Sequence, residues 1–290
     1  MKIHLVDTTY ELFRSYFGKP RVTTDEGKEV GAVRGLIQTL LLLLREEGAT
    51  HVACAFDHVI ESFRNDLFSG YKTSEGLPPD LLGQFYLAEQ VARALGIIVW
   101  PMEEFEADDA IATAAVHLAV DKEVKQVIIC SPDKDLMQVV QGNTIVCLDR
   151  RRKKLYDFDQ VREKLGVNPE SIPDYLALVG DPADGIPGIK RWGNKSTAKV
   201  LSEYHQIESI PNNYDEWTVK PRGAKSMSTA LEERRTDAML YKSLTRLRLD
   251  VPLTESRDDL EWKGANQTEY EALCTALGFQ NLKNLPHRWQ

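Results

Sequence analysis

The chain of 290 residues is long enough to form one large domain or two modest domains with an apolar core. Apolar residues make up 42% of it and charged residues 28%, as in an ordinary soluble globular protein. The net charge of −8 argues weakly against a nucleic-acid partner, although a dense acidic metal site would supply part of that charge.

Cysteine spacing and hydropathy argue against a secreted or membrane protein. None of the four cysteines forms a C-x-x-C pair, which favours a reducing compartment without disulfides or zinc. The N-terminus reaches Asp7 too early for a signal peptide. The most apolar helix, at residues 40–44, is interrupted by Gln38, Arg45 and Glu46 and is too short to span a bilayer. We therefore expect a cytoplasmic protein.

Short apolar runs alternate with helical patterns over the first half of the chain. The runs predict strands at residues 3–6, 51–56, 97–99 and 127–130. Helical periodicity covers residues 33–45 and about 79–95, and an Ala-rich helix follows residue 106. Such alternation predicts a parallel sheet with crossover helices.

Three further segments complete the sequence-based layout. Residues 58–79 have weak periodicity and predict a long irregular or mobile connection. A hairpin is predicted at residues 144–156, and the five consecutive cations in its turn are either a solvated loop or a phosphate contact. Beyond residue 169 the pattern is mostly helical, so a domain boundary is placed near residues 166–169.

Acidic residues follow the predicted strands. Asp7, Asp57 and the pair Asp133 and Asp135 come just past strand ends, and Glu106, Asp108 and Asp109 open the Ala-rich helix. A lone Asp at such a place is most simply a helix cap or turn former. In parallel sheets, however, ligands bind at the carboxyl ends of the strands. Because several separate segments place acidic residues at that edge, a functional site is favoured over isolated helix caps.

A second acidic cluster precedes a basic segment. Asp181 and Asp184 lie in the Gly- and Pro-rich turn at residues 180–188, and residues 189–199 carry several cations. Glycine N–H groups and lysines at a helix start would suit a phosphate backbone, although a generic basic surface is an equally good explanation of this segment alone.

Nine carboxylates result, with no His or Cys among them. Such all-oxygen sets select hard cations, and Mg²⁺ or Mn²⁺ suits them better than zinc. That number of acids suits two metals, which together stabilise the attacking and leaving oxygens in phosphodiester cleavage.

These residues occur in motifs that resemble the 5′–3′ exonuclease/flap endonuclease family, which includes the N-terminal nuclease domain of bacterial DNA polymerase I. The motifs cover roughly residues 1–250 in family order. They are Leu5-Val6-Asp7 with Arg14, Phe56-Asp57 with Ser62-Phe63-Arg64, Gly70-Tyr71-Lys72, Glu106-Ala107-Asp108-Asp109, Asp133-Lys134-Asp135-Leu136, and Gly180-Asp181 with Asp184, Pro187 and Gly188.

The resemblance implies a PIN-like α/β fold with a central, mostly parallel sheet flanked by helices. It implies a catalytic domain at residues 1–166 with a helical arch at about 64–90. A helical DNA-binding subdomain would follow at 167–290, with a helix–three-turn–helix at about 175–204. With no polymerase domain after residue 290, the chain is expected to act as a separate nuclease.

The resemblance also assigns roles to individual residues. Asp7, Asp57, Glu106 and Asp108 would build a first metal site with Asp109 close by, and Asp133, Asp135, Asp181 and Asp184 a second. Lys72 and Arg64 would meet the scissile phosphate, and Arg14 joins them as a catalytic residue. Tyr71 would contact an unpaired base or pack the arch. The remaining DNA-binding residues would be Gly188, Lys190, Gly193, Lys195 and Lys199.

Two departures from the family pattern concern the arch and the DNA-binding turn. Glu75 stands where many relatives carry arginine, which makes the arch less cationic. Gly185 stands where asparagine is usual, and Arg191-Trp192-Gly193 replaces a Gly-Ile-Gly pattern. Relatives bind K⁺ there through backbone carbonyls, so a K⁺ site is an expectation for this chain.

The sequence thus predicts a monomeric, nucleoid-associated 5′ nuclease that uses two Mg²⁺ or Mn²⁺ ions. Its DNA substrates would be 5′ flaps, nicks, primer ends or RNA–DNA hybrids, during replication and repair. One alternative is a catalytically weak DNA-junction-binding protein of the same fold. Another is a PIN-type ribonuclease, although such domains are about half this length and lack the turn at residues 180–188.

Overall fold

The computed structural model describes residues 1–45 and 48–290. The β-strands are β1 Lys2–Asp7, β2 His51–Asp57, β3 Ile98–Met102, β4 Gln126–Cys130, β5 Ile145–Asp149 and β6 Lys154–Tyr156. The α-helices are α1 Thr8–Gly18, α2 Gly31–Arg45, α3 Phe63–Leu67, α4 Pro79–Leu82, α5 Phe85–Ala94, α6 Ala107–Ala119, α7 Phe158–Leu165, α8 Ile172–Val179, α9 Asn194–Tyr204, α10 Ala224–Thr245 and α11 Gln267–Ala276. The chain divides into two compact units.

The first unit contains a parallel sheet and comprises Met1–Ile60, Ser74–Ser131 and Leu249–Gln290. Its strands run in the order β3-β2-β1-β4, and every neighbouring pair is parallel. Strands β1, β2 and β4 are nearly continuous apolar runs and are mostly buried, as expected for a parallel sheet, whereas only one of the five residues of β3 is buried. Because the strands are parallel, the acids that end β1 and β2 lie at the same edge.

The C-terminal segment completes the first unit rather than forming a separate body. The indole N–H of Trp262 donates to the carbonyl of Leu95 at 2.7 Å, and the backbone N–H of Asn266 donates to that of Ala94 at 2.9 Å. Helix α11 packs against α5. These hydrogen bonds serve the Ala94 and Leu95 carbonyls at the C-terminal end of α5, where carbonyl groups have no partner within the helix.

The second unit is mostly helical and comprises Glu61–Thr73 and Pro132–Arg248. It contains the antiparallel pair β5 and β6, as the predicted hairpin requires. Helix α8 packs against both α9 and α10. Lys242 of α10 is buried, and its ammonium lies 2.8 Å from Asp174 Oδ1 and 2.6 Å from Glu208 Oε2.

The four predicted parallel strands and the hairpin are confirmed, but two predicted segments differ. The helix predicted at residues 79–95 is two helices, because the chain turns at Gly83 and Gln84 between α4 and α5. The side chain of Gln84 accepts the Val33 N–H at 3.1 Å and donates to the Asp80 carbonyl at 2.9 Å. The connection predicted to be irregular contains α3, whose start is capped by Ser62 and Asn65.

The helices within the described part of the chain do not reach the dimensions of a membrane span. None of them combines the length and apolar composition needed to cross a bilayer. Glu46, one of the residues predicted to interrupt the apolar run, lies outside the described residues.

Candidate metal centre

The edge of the parallel sheet carries Asp7 and Asp57, the last residues of β1 and β2. Oδ1 of Asp7 caps α1 by accepting the Tyr10 N–H at 2.9 Å, and its Oδ2 accepts the Ser131 hydroxyl at 2.8 Å. Oδ1 of Asp57 accepts the Ala107 N–H at 2.8 Å, in the first turn of α6. This hydrogen bond brings Asp57 to the acidic start of that helix.

The start of α6 combines capping with a concentration of negative charge. Glu106 is the N-cap residue, and Asp108 and Asp109 lie in the first turn, where the helix dipole favours carboxylates. Asp109 is fully buried, and its Oδ2 accepts the Glu106 N–H at 3.0 Å. The structure therefore gives Asp109 a capping role, while its predicted proximity to a metal remains a prediction.

Three acids of the second unit form a tight group. One carboxylate oxygen each from Asp135, Asp181 and Asp184 lies within 4.8 Å of the other two. Asp133 adjoins them, since its Oδ1 accepts the Asp135 N–H at 2.9 Å. The backbones of Asp181 and Ile186 pair in an isolated antiparallel β-bridge, so Asp184 lies in the loop between them. The structure thus brings together three of the four acids predicted for the second metal site and places the fourth beside them.

The electrostatics of this group suit a cation. Burial and the negative charges of Asp133, Asp184 and Asp181 raise the pKa of Asp135 well above its ordinary value. Its Oδ1 is buried and has no hydrogen-bond partner among the residues that the structure describes, an arrangement that costs free energy unless something compensates it. An all-oxygen donor set with an orphaned buried carboxylate oxygen fits a hard divalent cation such as Mg²⁺ or Mn²⁺.

Two lysines pair with this acidic group. The ammonium of Lys72 lies 3.1 Å from Asp184 Oδ1, and that of Lys134 lies 2.7 Å from Asp181 Oδ2. Burial lowers the pKa of Lys134, but the hydrogen bond to Asp181 and the surrounding acids outweigh it, so the net shift is upward. The sequence analysis assigned no role to Lys134. Its position between Asp133 and Asp135, two candidate metal ligands, is the feature of the sequence that could have indicated one.

Backbone contacts fix the position of Lys72. Its N–H donates to the Asp184 carbonyl at 3.1 Å, and the side-chain amide of Asn65 donates to its carbonyl at 2.9 Å. Gly185 has φ +74°, and a Cβ added there would lie 2.0 Å from the carbonyl oxygen of Gly70. The glycine at this position therefore permits the close approach of the turn to the segment that carries Lys72.

Arg64 and Tyr71 occupy buried positions in the second unit. Arg64 is 1% exposed, and its guanidinium donates to the carbonyls of Leu244 at 2.8 Å and Arg246 at 3.2 Å, at the end of α10. Tyr71 is 4% exposed. These side chains pack the unit in this structure, and their predicted contacts with a phosphate and a base remain predictions.

Arg14, the third predicted catalytic residue, lies between helices of the first unit. Its guanidinium pairs with Glu11, which is one turn earlier on α1, and donates to the Thr39 hydroxyl of α2 at 3.1 Å. Arg14 therefore connects α1 to α2, and a catalytic role for it remains a prediction.

The predicted DNA-binding residues other than Tyr71 lie on and before α9. Gly188 is half-buried in the turn, whereas the other four are exposed. They are Lys190, Gly193, Lys195 and Lys199. A cavity of about 740 Å³ adjoins this turn and is lined in part by Lys190 and Arg191. Trp192, part of the departure from the family pattern, is buried and donates its indole N–H to the Met227 carbonyl at 3.0 Å.

Family comparisons cover nearly the whole chain. The family model described as 5′-3′ exonuclease, N-terminal resolvase-like domain, matches residues 2–166. The model described as 5′-3′ exonuclease, C-terminal SAM fold, matches residues 167–268.

Similar curated proteins include DNA polymerase I of Bacillus caldotenax, 34% identical over 286 residues, which are 97% of this chain and 32% of that protein. DNA polymerase I of Pseudomonas aeruginosa is 35% identical over 287 residues, which are 96% of this chain and 30% of that protein. The chain thus spans about a third of the length of the curated relatives it matches.

Two solved structures share the fold. T5 5′-exonuclease with bound divalent metal ions (zinc) has a TM-score of 0.67 at 17% identity, covering 98% of this chain and 96% of that one. The catalytic core of Rad2 in complex with a DNA substrate has a TM-score of 0.64 at 15% identity, covering 97% and 90%. These likenesses confirm the predicted α/β fold.

Proposed function

This chain belongs to the 5′-3′ exonuclease family, and we propose from that premise that it is a divalent-metal-dependent 5′ nuclease. It hydrolyses phosphodiester bonds of DNA at 5′ ends and 5′ flaps, near junctions of single and double strands. The division of labour between a catalytic part at residues 1–166 and a DNA-binding part at 167–290 belongs to the same proposal.

One observation carries the proposal. Asp135, Asp181 and Asp184 converge within 4.8 Å, and a lysine ammonium lies 3.1 Å from Asp184. A purely structural acidic turn would gain nothing from burying several like charges together, because their repulsion and desolvation both oppose folding. Hydrolysis of a phosphodiester uses this combination, since cations and a lysine can both neutralise phosphate oxygens.

We assign one divalent cation to each set of acids. The first set is Asp7, Asp57, Glu106 and Asp108, with Asp109 close by. The second set is Asp133, Asp135, Asp181 and Asp184. Cations held there supply Lewis acidity to the phosphodiester and to the water that attacks it. Ser131 orients Asp7 through its hydroxyl, and the Ala107 N–H orients Asp57, so these carboxylates are directed before a ligand arrives.

Lys72 contributes positive charge at the reacting phosphate. Its backbone is anchored on both sides, by Asp184 and by Asn65, so that only the side chain has to move. When the ammonium of Lys72 moves from Asp184 to a phosphate oxygen, it exchanges one anionic partner for another. The ammonium then offsets negative charge that grows in the transition state, as a preorganised hydrogen-bond donor does.

The exposed lysines before and within α9 hold the DNA backbone. Gly193 is the N-cap residue of α9, so the first N–H groups of this helix and the ammonium of Lys195 are available to one phosphate. Lys190 and Lys199 extend the cationic surface. We also propose that the backbone carbonyls of residues 188–193 bind a K⁺ ion.

The substrate preference extends the same proposal. The preferred DNAs are flaps, nicks and primer ends, including RNA–DNA hybrids formed in replication and repair, and the protein acts as a monomer. A protein that only binds junctions is the competing function.

A 5′-labelled flap duplex, incubated with and without Mg²⁺, separates the two functions by product length. The proposal predicts Mg²⁺-dependent products that end near the junction. Asp135→Asn is the inactive control, and a labelled single strand of the same sequence is the substrate control. If the protein binds the junction tightly but gives no product in Mg²⁺ or Mn²⁺, the proposed nuclease activity is refuted and a protein that only binds junctions is favoured.

A further inference from the structure

We propose that Lys134 is an internal counter-ion of the second set of acids, which holds Asp181 in the cation-free protein and is displaced when a divalent cation binds. This inference rests on the proposed cation binding by that set. It adds a residue that sets the cation affinity without being a ligand.

The two oxygens of Asp181 have different partners. Oδ1 accepts the Ala183 N–H at 3.1 Å and so supports the turn. Oδ2 lies 2.7 Å from the Lys134 ammonium. A cation that coordinates Oδ2 therefore competes directly with Lys134, whereas the turn survives the exchange through Oδ1.

The surrounding charge explains why such a counter-ion is needed. Asp135 is buried beside Asp133, Asp181 and Asp184, so the cation-free cluster concentrates like charges in a poorly solvated place. Lys134 and Lys72 together bring two positive charges to this cluster, the same charge as one divalent cation. The protein can thus fold without the ion and still offer the ion a set of acids.

The position of Lys134 also suits an exchange. Its side chain is 35% exposed, while that of Asp181 is 6% exposed. The long, flexible stem of lysine allows the ammonium to move into solvent without a change in the backbone. Release of Lys134 therefore costs the ion pair but requires no rearrangement of Asp133 or Asp135.

Titration with Mn²⁺ alone, by calorimetry and in the absence of nucleic acid, tests the exchange. Lys134→Met removes the competing charge with little change in side-chain length. We expect one Mn²⁺ binding event to become about tenfold tighter, equivalent to ~1.4 kcal/mol. Lys134→Arg keeps the charge and should leave the affinity within about threefold of wild type, which is ~0.65 kcal/mol.

Lys220→Met is the control for a general change in charge. Lys220 belongs to the same unit and is exposed, and its ammonium lies over the Tyr214 ring, 4.9 Å from the centroid. We expect this variant to bind Mn²⁺ with unchanged affinity. If both Met variants gain the same Mn²⁺ affinity, the effect comes from net charge, and the specific role of Lys134 is overturned.

Thermal unfolding gives a second readout that does not depend on catalysis. Without cations, Lys134→Met should unfold at a lower temperature than wild type, and saturating Mn²⁺ should raise its Tm by more than it raises that of wild type. Unchanged affinity and unchanged Tm in Lys134→Met, with normal binding by wild type, would refute the counter-ion. Absence of Mn²⁺ binding by wild type would instead refute the proposed cation sites themselves.

Discussion

The ammonium of Lys72 lies 3.1 Å from Oδ1 of Asp184, and the backbone N–H of Lys72 donates to the carbonyl of the same aspartate at 3.1 Å. One residue of the acidic turn thus contacts both the main chain and the side chain of the lysine proposed to meet the substrate. This double contact ties the position of the lysine to the geometry of the proposed second cation site.

Lys72→Ala should lower the single-turnover rate of flap cleavage by at least ~10²-fold, because it removes a charge comparable to a lost oxyanion donor. Rapid-quench measurements at saturating enzyme separate this rate from binding. Lys72→Arg should recover part of the rate. A rate for Lys72→Ala within a few-fold of wild type would remove this lysine from the mechanism.

Asp135→Asn should abolish Mg²⁺-dependent cleavage, while junction binding in Ca²⁺ or EDTA persists. The same change should raise the Tm of the cation-free protein, since it removes a buried carboxylate surrounded by three other acids. A gain of 1 kcal/mol corresponds to about 2–4 °C for a protein of this size class. A lower Tm together with full activity would contradict the assignment of Asp135 as a ligand.

Gly185→Ala should reduce cleavage more than it reduces duplex binding. The new Cβ would lie 2.0 Å from the carbonyl oxygen of Gly70, in a backbone conformation with φ +74°, so the segment carrying Lys72 must shift. Gly278→Ala is the matched control, because Gly278 has a similar φ of +71° and, among the described residues apart from its chain neighbours, no heavy atom lies within 4 Å of the Cβ it would add. Equal single-turnover rates for the two variants would show that the close approach is unimportant for catalysis.

Lys195→Ala should weaken duplex binding and reduce the slope of log K against log salt by about one unit, as expected for one lost phosphate contact. Binding is measured by fluorescence anisotropy at several salt concentrations. Lys122→Ala, at an exposed position in the first unit, should leave the slope unchanged. An unaltered slope in Lys195→Ala would exclude a phosphate contact by this residue.

Lys242→Met should destabilise the protein by about 3–5 kcal/mol, because it leaves the buried Asp174 carboxylate without its cation. Burial already raises the pKa of Asp174, and Lys242 offsets part of that rise. Urea unfolding measures the loss. The double variant Lys242→Met/Asp174→Leu should recover most of it, and a loss below about 1 kcal/mol in the single variant would contradict the argument.

The sheet and its acids were predictable from the sequence, because parallel strands have a simple signal. Buried strands appear as short apolar runs, and the parallel topology brings the residues at their carboxyl ends to one edge of the sheet. Asp7 and Asp57 illustrate this rule, since each ends a strand of the parallel sheet.

Helix α1 had no comparable signal. Its sequence begins with Thr8 and Thr9 and continues with several aromatic residues, which are weak helix formers. Its stability comes instead from the Asp7 cap and from packing against α2.

The environment of the other predicted catalytic residues was not predictable either. Arg64 contacts carbonyls about 180 positions away in the sequence, and no local pattern reveals such contacts. The pairing of Lys134 with Asp181 depends in the same way on tertiary structure.

The C-terminal segment has a consequence for biosynthesis. The carbonyl groups of Leu95 and Ala94, at the end of α5, accept hydrogen bonds from Trp262 and Asn266, and these bonds form only after the ribosome has added those residues. The first unit is therefore completed by segments that are far apart in the sequence, and such distant contacts form slowly because loop closure costs entropy before the contacts repay it.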